Sequence, residues 1–419
     1  MLTRDEKVVH KYLQNYAEPE SNSLPELPRF DHCLVIPVFD EAFESLERVW
    51  QRIRDNYLVI LVANAPRKQH VATLRLMQEA TSRATNITTS GRCTYLSGTP
   101  DILLVDRCSV GNTIAPHQGV GLARKIGADI ALRLIFEGVI KSLRISNTDA
   151  DSVLPGDYFA TSLADNDAAL VFPFSHDYET GLQVPTLLYE ISILYYACGL
   201  DWAGSAYGYT CLGSTMAVSA AHYAKVRGFP RRNAAEDFYL LNKLAKTGAI
   251  RRILSTPIVL SGRLSKRVPV GTGAGISKIA DLDSPLDEYH FYHPRIFALL
   301  NEFLKTLATI WDTPGTFASA TPAVQHYCQA TQLPEFIAKQ RAHYKQEIVF
   351  NKFLTDWFDG FRTLKFVHFM RDHYLPSAPL NKLGEAEFVN TDLLKDLSVL
   401  KQQLSGRLFQ QAPGSVELK

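Results

Sequence analysis

Short runs of apolar residues alternate with helical patterns along much of the chain. CLVIPVF (33–39) and YLVILVAN (57–64) are β-branched and of strand length, and between them Phe43, Leu46, Val49, Trp50 and Ile53 recur at helical spacing. That is a βαβ unit, with parallel strands and a right-handed crossover. DILLVDR (101–107) reads as a third strand, followed by a loop rich in Gly, Thr and Pro. GVGLARKIGADIALRLIF (119–136) sets Val120, Ala123, Ile126, Ile130 and Leu134 on one helical face and leads to a fourth strand, SLRIS (142–146). AALVFPF (168–174) reads as a fifth strand and TLLYEISILYYACGL (186–200) as a mostly buried helix. The segment 208–230 carries small residues around Gly213 and Ser214, where a strand can approach another backbone or a ligand closely. AAEDFYLLNKLAK (234–246) opens with acidic residues and continues as an apolar-periodic helix.

The pattern changes at both ends. Residues 1–30 predict a short helix and a Pro/Glu/Ser-rich connector, and beyond 281 an aromatic-rich stretch of helical period (325–375) precedes a polar tail. The expected organisation is therefore an N-terminal helix and connector (1–30), an α/β domain (31–280) and a helical C-terminal domain with a polar tail (281–419). The aromatic region shapes a pocket, mediates a homodimer or covers the sheet, with Trp357, Phe358 and Phe361 most simply read as core.

Composition narrows the class. A hydrophobic fraction of 46%, a charged fraction of 21% and a formal charge of +1 describe a soluble globular protein and do not suggest a general nucleic-acid binder. The six cysteines lack metal-binding spacing and read as reduced structural thiols. No apolar signal core or membrane-length apolar stretch is present, so a cytoplasmic location without a transmembrane segment is expected.

Candidate chemistry sits at strand ends. ISNTDADSV (145–153) places Asp149 and Asp151 two residues apart at the carboxyl end of the fourth strand. Asp, Asn, Thr and Ser before Pro155-Gly156 suit a solvated turn. Two carboxylates this close repel one another unless a cation is near, and open α/β sheets bind ligands outside the carboxyl ends of their strands. Glu236 and Asp237 are read either as ordinary helix-dipole compensation or as site residues.

Four features occur in order: PVFDE (37–41), VAN (62–64), TDAD (148–151) and AED (235–237). Together with GVGLARK (119–125), they resemble the family 2 glycosyltransferases of GT-A fold, which carry a PVYNE-like turn, a DXD-type triplet and an ED motif. The resemblance spans roughly 33–280 and implies a Rossmann-like mixed sheet flanked by helices. It implies sugar transfer from a UDP- or GDP-linked donor to an acceptor hydroxyl, with Mg²⁺ or Mn²⁺ neutralising the diphosphate. By the same resemblance Asp151 ligates the metal, Asp149 contacts the ribose or the metal's water shell, Asp237 is the base of an inverting transfer, and Glu236 orients the acceptor or supports the base.

The resemblance also assigns Pro37, Phe39 and Glu41 to the nucleoside. Asn64 stands where the family often has Asp. Glu41 is otherwise a helix cap, Phe39 core and Asn64 a turn former. Arg124 and Lys125 either approach the phosphates or lie on a solvated helix face. Arg263, Lys266 and Arg267 lie among glycines, as in a basic loop over the diphosphate or a plain surface loop. His176, His290 and His293 are candidates for a third metal ligand, or structural histidines. Three other readings stay open: a retaining GT-A enzyme making a small glycoside, a nucleotidyltransferase, whose Gly-rich basic first loop PVFDE lacks, and a non-catalytic scaffold of the same fold.

Overall fold

A computed structural model describes residues 3–66, 68, 70–264 and 271–410. They divide into two units, one of residues from 3–179 and 211–274, the other of residues from 180–210 and 275–410. In chain order the first unit contains α1 (Arg4–Asn15), β1 (His32–Val38), α2 (Phe43–Trp50), β2 (Tyr57–Asn64), α3 (Val71–Ser82), β3 (Asn86–Ser90), β4 (Cys93–Ser97), β5 (Asp101–Arg107), α4 (Gly119–Phe136), β6 (Arg144–Asn147), β7 (Asp167–Val171) and β8 (Phe174–Asp177). After α5 (Gln183–Trp202), which belongs to the second unit, come β9 (Met216–Ser219), α6 (Ala220–Lys225), α7 (Glu236–Leu244), β10 (Ala249–Arg252) and β11 (Ile258–Ser261).

Nine strands form one mixed sheet in the order β10-β7-β9-β6-β1-β2-β5-β4-β3, and β8 pairs with β11 outside it. The centre is parallel: β1 pairs with β2 and β6, and β2 with β5. Only β4 and β9 run against the rest of the sheet. β2 is buried along its whole length and β1 from Cys33 onward, as expected of parallel strands covered on both faces. The chain lays down β1, β2 and β5 in one direction and then returns to place β6 on the other side of β1. That reversal opens a crevice between the carboxyl ends of β1 and β6, the place where open α/β sheets take their ligands.

α4 is the helix that fixes this crevice. It packs on β1, β2 and β6, and a Cβ at Gly127 would lie 2.4 Å from Val35 Cγ1, so glycine sets how closely helix and sheet approach. The opposite side of α4 is covered by α1, and the helix is buried nearly all round. The single apolar face expected from the sequence therefore understates its burial, and the solvated face expected for Arg124 and Lys125 does not exist: they are 2% and 5% exposed. Residues 18–30, expected to be a connector, also pack into the first unit, with Glu18 and Glu20 buried.

The second unit is helical. It contains α5 and, after α8 (Thr272–Ala280), which begins in the first unit, α9 (Pro285–Glu288), β12 (His290–Phe291), α10 (Arg295–Ala308), α11 (Pro322–Ala330), α12 (Leu333–Arg341), α13 (Glu347–Trp357), α14 (Gly360–His373), β13 (Ala378–Pro379) and α15 (Leu397–Gln410). The expected α/β domain of 31–280 includes 180–210, and here the structure differs. α5 packs on α15 and α10, and a Cβ at Gly199 would meet the Phe297 ring at 2.4 Å, so this apolar helix is the spine of the helical unit. Phe358 is core, whereas Phe361 is 40% exposed. No helix among the described residues is long and apolar enough to cross a membrane.

Candidate functional site

The acidic triplet is a turn as well as a site. The Thr148 amide donates to the Val35 carbonyl at 3.1 Å, fixing the exit of β6 against β1, and the Ser152 amide donates to the Asp149 carbonyl at 3.3 Å. Both carboxylates meet arginines. Arg124 Nη2 donates to Asp149 Oδ1 at 2.5 Å, and Arg263 Nη2 lies 2.9 Å from Asp151 Oδ2.

Arg124 also reaches the second acidic motif, 112 residues later, where its Nε donates to Glu236 Oε1 at 2.9 Å. One buried guanidinium thus joins the end of β6 to the start of α7. Three glycines make room for it. A Cβ at Gly213 would stand 2.7 Å from Arg124 Nη2, and Cβ atoms at Gly119 and Gly121 would collide with the 230–233 backbone that leads into α7. The Gly121 amide donates to the Arg232 carbonyl at 2.8 Å. Burial opposes the charge on Arg124, but Asp149, Glu236 and Asp237 more than offset it and its pKa is raised.

Asp237 follows in the first turn of α7, half-buried, behind Ala235 in the left-handed region at φ 59°. Its carboxylate accepts from the Phe238 amide at 2.7 Å. Burial first, and then the Glu236 charge, push its pKa up to about 7, against the pull of the Phe238 and Gly213 amides and of Arg124. Glu236 and Asp237 open the helix, as dipole compensation requires, but neither side chain caps it.

A second cluster lies beside the first. Glu41 is buried and receives both terminal nitrogens of Arg263, one of them at 3.0 Å. α2 starts from Ala42 without a side-chain cap, so Glu41 serves Arg263 and not the helix end. Asp151 and Arg263 line a cleft of about 330 Å³ together with Arg48, Asp177, Glu179 and Ser261. No motif marks the last four in the sequence, where SHDYETG is legible only as the loop after a strand.

The remaining candidates are spread more widely. Pro37 is buried within β1, and the Phe39 ring lies 4.7 Å from that of His70 at the strand's end. Asn64 closes β2, buried and opposite Arg107 of β5, not in a turn. Lys125 faces away from Arg124's partners and pairs with Asp129 at 2.8 Å. His176 is buried with Nε2 3.3 Å from Thr272 Oγ1. His290 and His293 belong to the helical unit. Lys266 and Arg267 lie outside the described residues.

Several buried polar atoms at this edge find no partner among the described residues: Arg124 Nη1, Asn147 Oδ1, Thr148 Oγ1 and Ser152 Oγ. An unsatisfied buried polar group costs on the order of 1–3 kcal/mol, so their concentration around one turn marks a place suited to a polar ligand or ordered water. No group of three or more His, Cys, Asp or Glu side chains among the described residues is arranged to hold a metal ion. The donors present are hard carboxylate oxygens in a pair. That suits Mg²⁺ or Mn²⁺ held by one or two carboxylates and completed by substrate phosphates, and does not suit an all-protein cage.

No family model and no curated protein matches the sequence. Among solved structures, the chain is similar to a mannosyltransferase of Pyrobaculum calidifontis in complex with GDP-Man and Mn²⁺, over 88% of this chain and 93% of that one, at 15% identity and a TM-score of 0.36. A likeness that loose assigns neither activity nor ligand.

Proposed function

We propose that the chain is a nucleotide-sugar-dependent glycosyltransferase of GT-A type that moves a sugar to an acceptor hydroxyl with inversion. The observation that carries this reading is the Arg124 bracket, which joins Asp149 after β6 to Glu236 before Asp237 at the reversal point of the sheet. Asp151 and Asp149 are the residues that would hold Mg²⁺ or Mn²⁺. The ion would supply positive charge to the departing diphosphate. Arg263 would offer forked donors to the same phosphates, and Phe39 and Glu41, just past the end of β1, would contact the nucleoside.

In the transfer, the acceptor oxygen bonds to the anomeric carbon while its proton passes to Asp237. The bond from that carbon to the diphosphate breaks, and the nucleoside diphosphate leaves with the electron pair. A base works best with a pKa near the working pH, and burial beside Glu236 brings Asp237 there.

The test is a thermal-shift screen of nucleoside diphosphates and their sugars with and without Mn²⁺, followed by turnover of the stabilising donor. Asp237→Asn should bind that donor as the wild type does and lose about 10²- to 10⁴-fold in kcat. Undiminished turnover removes the base role. Failure of every nucleotide to stabilise the wild type removes the transferase reading.

A further inference from the structure

Arg124 and Lys125 are neighbours on α4, yet they serve opposite sides of the helix. Lys125 reaches into a buried cluster built on the N-terminal segment. Its Nζ lies 2.8 Å from Asp129 Oδ2 and donates to Tyr12 Oη at 2.5 Å. Asp129, fully buried, also accepts from Tyr12 Oη at 2.6 Å, from Tyr223 Oη at 2.8 Å and from the Glu18 amide at 2.8 Å. The segment after α1 is therefore held down by its backbone, and the Glu18 side chain is left to reach elsewhere.

Glu18 reaches the loop that mounts Asp237. Arg231 Nε and Nη2 both stand 2.8 Å from Glu18 Oε1, and Lys125 Nζ lies 3.9 Å from the same oxygen. From Arg231 the chain runs through Arg232, whose carbonyl is tied to Gly121 and whose guanidinium stacks 4.0 Å over Tyr239, to the left-handed Ala235 and then to Glu236 and Asp237. A non-glycine residue in that region persists only where its surroundings enforce it, so the clasp that pins the loop bears on the geometry of the Glu236-Asp237 pair.

We infer that Glu18, in the strap that follows α1 (residues 16–30), is a positioning residue for Asp237, acting through Arg231 and the 230–235 loop. The inference rests on the proposed role of Asp237 as base. A shift in the loop moves the carboxylate relative to the acceptor hydroxyl, and a displacement on the order of 1 Å costs about a hundredfold in rate. Asp151 and Arg263, on the proposed donor side, pair with each other, whereas Arg231 of the loop pairs with Glu18.

Glu18→Gln and Arg231→Met open the clasp from either end. Each should lower kcat roughly ten- to a hundredfold with the donor KM within about twofold, the double variant should be no slower than the slower single, and Glu18→Asp should restore part of the rate. A lowered melting temperature with unchanged kcat and pH profile, or additive losses in the double variant, overturns the inference.

Should the wild type transfer no sugar, the transferase reading fails separately, and melting against pH decides the strap. The charged and titratable groups that act most strongly on Asp237 include Glu236 and Arg124, with Cys211 beside it, and Glu18 is not among them, so removing the Glu18 charge reports chiefly on loop geometry. The step in stability that Asp237→Asn abolishes should move to lower pH in Glu18→Gln. A step that stays in place overturns the inference.

Discussion

Two arginines hold carboxylates at the same edge of the sheet, and they do so in opposite environments. The Arg124 side chain is 3% exposed and spans two elements that are far apart in sequence, whereas Arg263 is 34% exposed and grips Glu41 and Asp151 on the wall of an open cleft. A desolvated ion pair has little to exchange with and behaves as a structural bracket. The pair of Arg263 with Asp151 is in contact with solvent, although Glu41 is buried, and can trade that carboxylate for an arriving phosphate at small cost. One crevice thus combines a fixed frame for the base with an adjustable contact for an anion.

The largest effect should come from breaking the frame. Arg124→Met removes the only cation paired with the buried Glu236 carboxylate among the ion pairs of the described residues, and opening a buried pair costs about 3–5 kcal/mol. We expect a melting temperature lower by several degrees and loss of turnover that added donor does not restore. A variant as stable as the wild type would show that the bracket is dispensable and that the two arginines do not differ.

Asp237 tests the frame without dismantling it. Its folded pKa is raised from 3.8 to about 7. Between those values the folded chain holds a proton that the unfolded chain has released, so stability is highest at low pH within the window and falls as pH rises toward 7. Asp237→Asn removes the titration. It should flatten that fall and melt above the wild type at pH 8, even as turnover collapses. Equal pH dependence in the two proteins would show that the carboxyl is not held in this way.

The two clusters are not equally legible in the sequence. Strands that run apolar from end to end reveal β1, β2 and β5, and the motifs at strand and helix ends reveal Asp149, Asp151, Glu236 and Asp237. β3 escapes because NITTS is polar and exposed, and β10 because AIRR carries two arginines on a half-buried strand. AALVFPF reads as one strand, but Pro173 divides it between two sheets. The expected α/β domain of 31–280 takes in α5 because that helix is apolar enough to belong to either unit, and only its packing on α15 assigns it to the helical one. Arg124 reads as a phosphate contact or a solvated residue, and its buried bridging role is what the sequence hides most deeply. Hydrophobic period marks the face a helix turns to its sheet and is silent about a second layer, here α1 and the strap, that buries the polar face as well. Glycine spacing is the available signal: Gly119 and Gly121 make sense only where another backbone lies against the helix.

The smallest expected effect sharpens the contrast from the exposed side. Arg263→Gln leaves the buried Glu41 and the part-exposed Asp151 with one cation fewer, but the arginine is one-third exposed, water can replace part of what is lost and the glutamine amide can still donate to Glu41, so we expect a smaller loss than in Arg124→Met, about 1–2 kcal/mol in stability. Its consequence should fall on the ligand. A guanidinium freed from two carboxylates presents parallel donors to a diphosphate, and losing one charge-assisted contact of that kind weakens binding by about tenfold or more. Isothermal titration of a nucleoside diphosphate with Mn²⁺ should show that weakening, and raising donor concentration should recover turnover. In Arg124→Met the same excess recovers nothing, because there the damage lies in the mounting of the base. Wild-type affinity in Arg263→Gln would mean that the cleft arginine is as static as the buried one, and the division of labour between them would not hold.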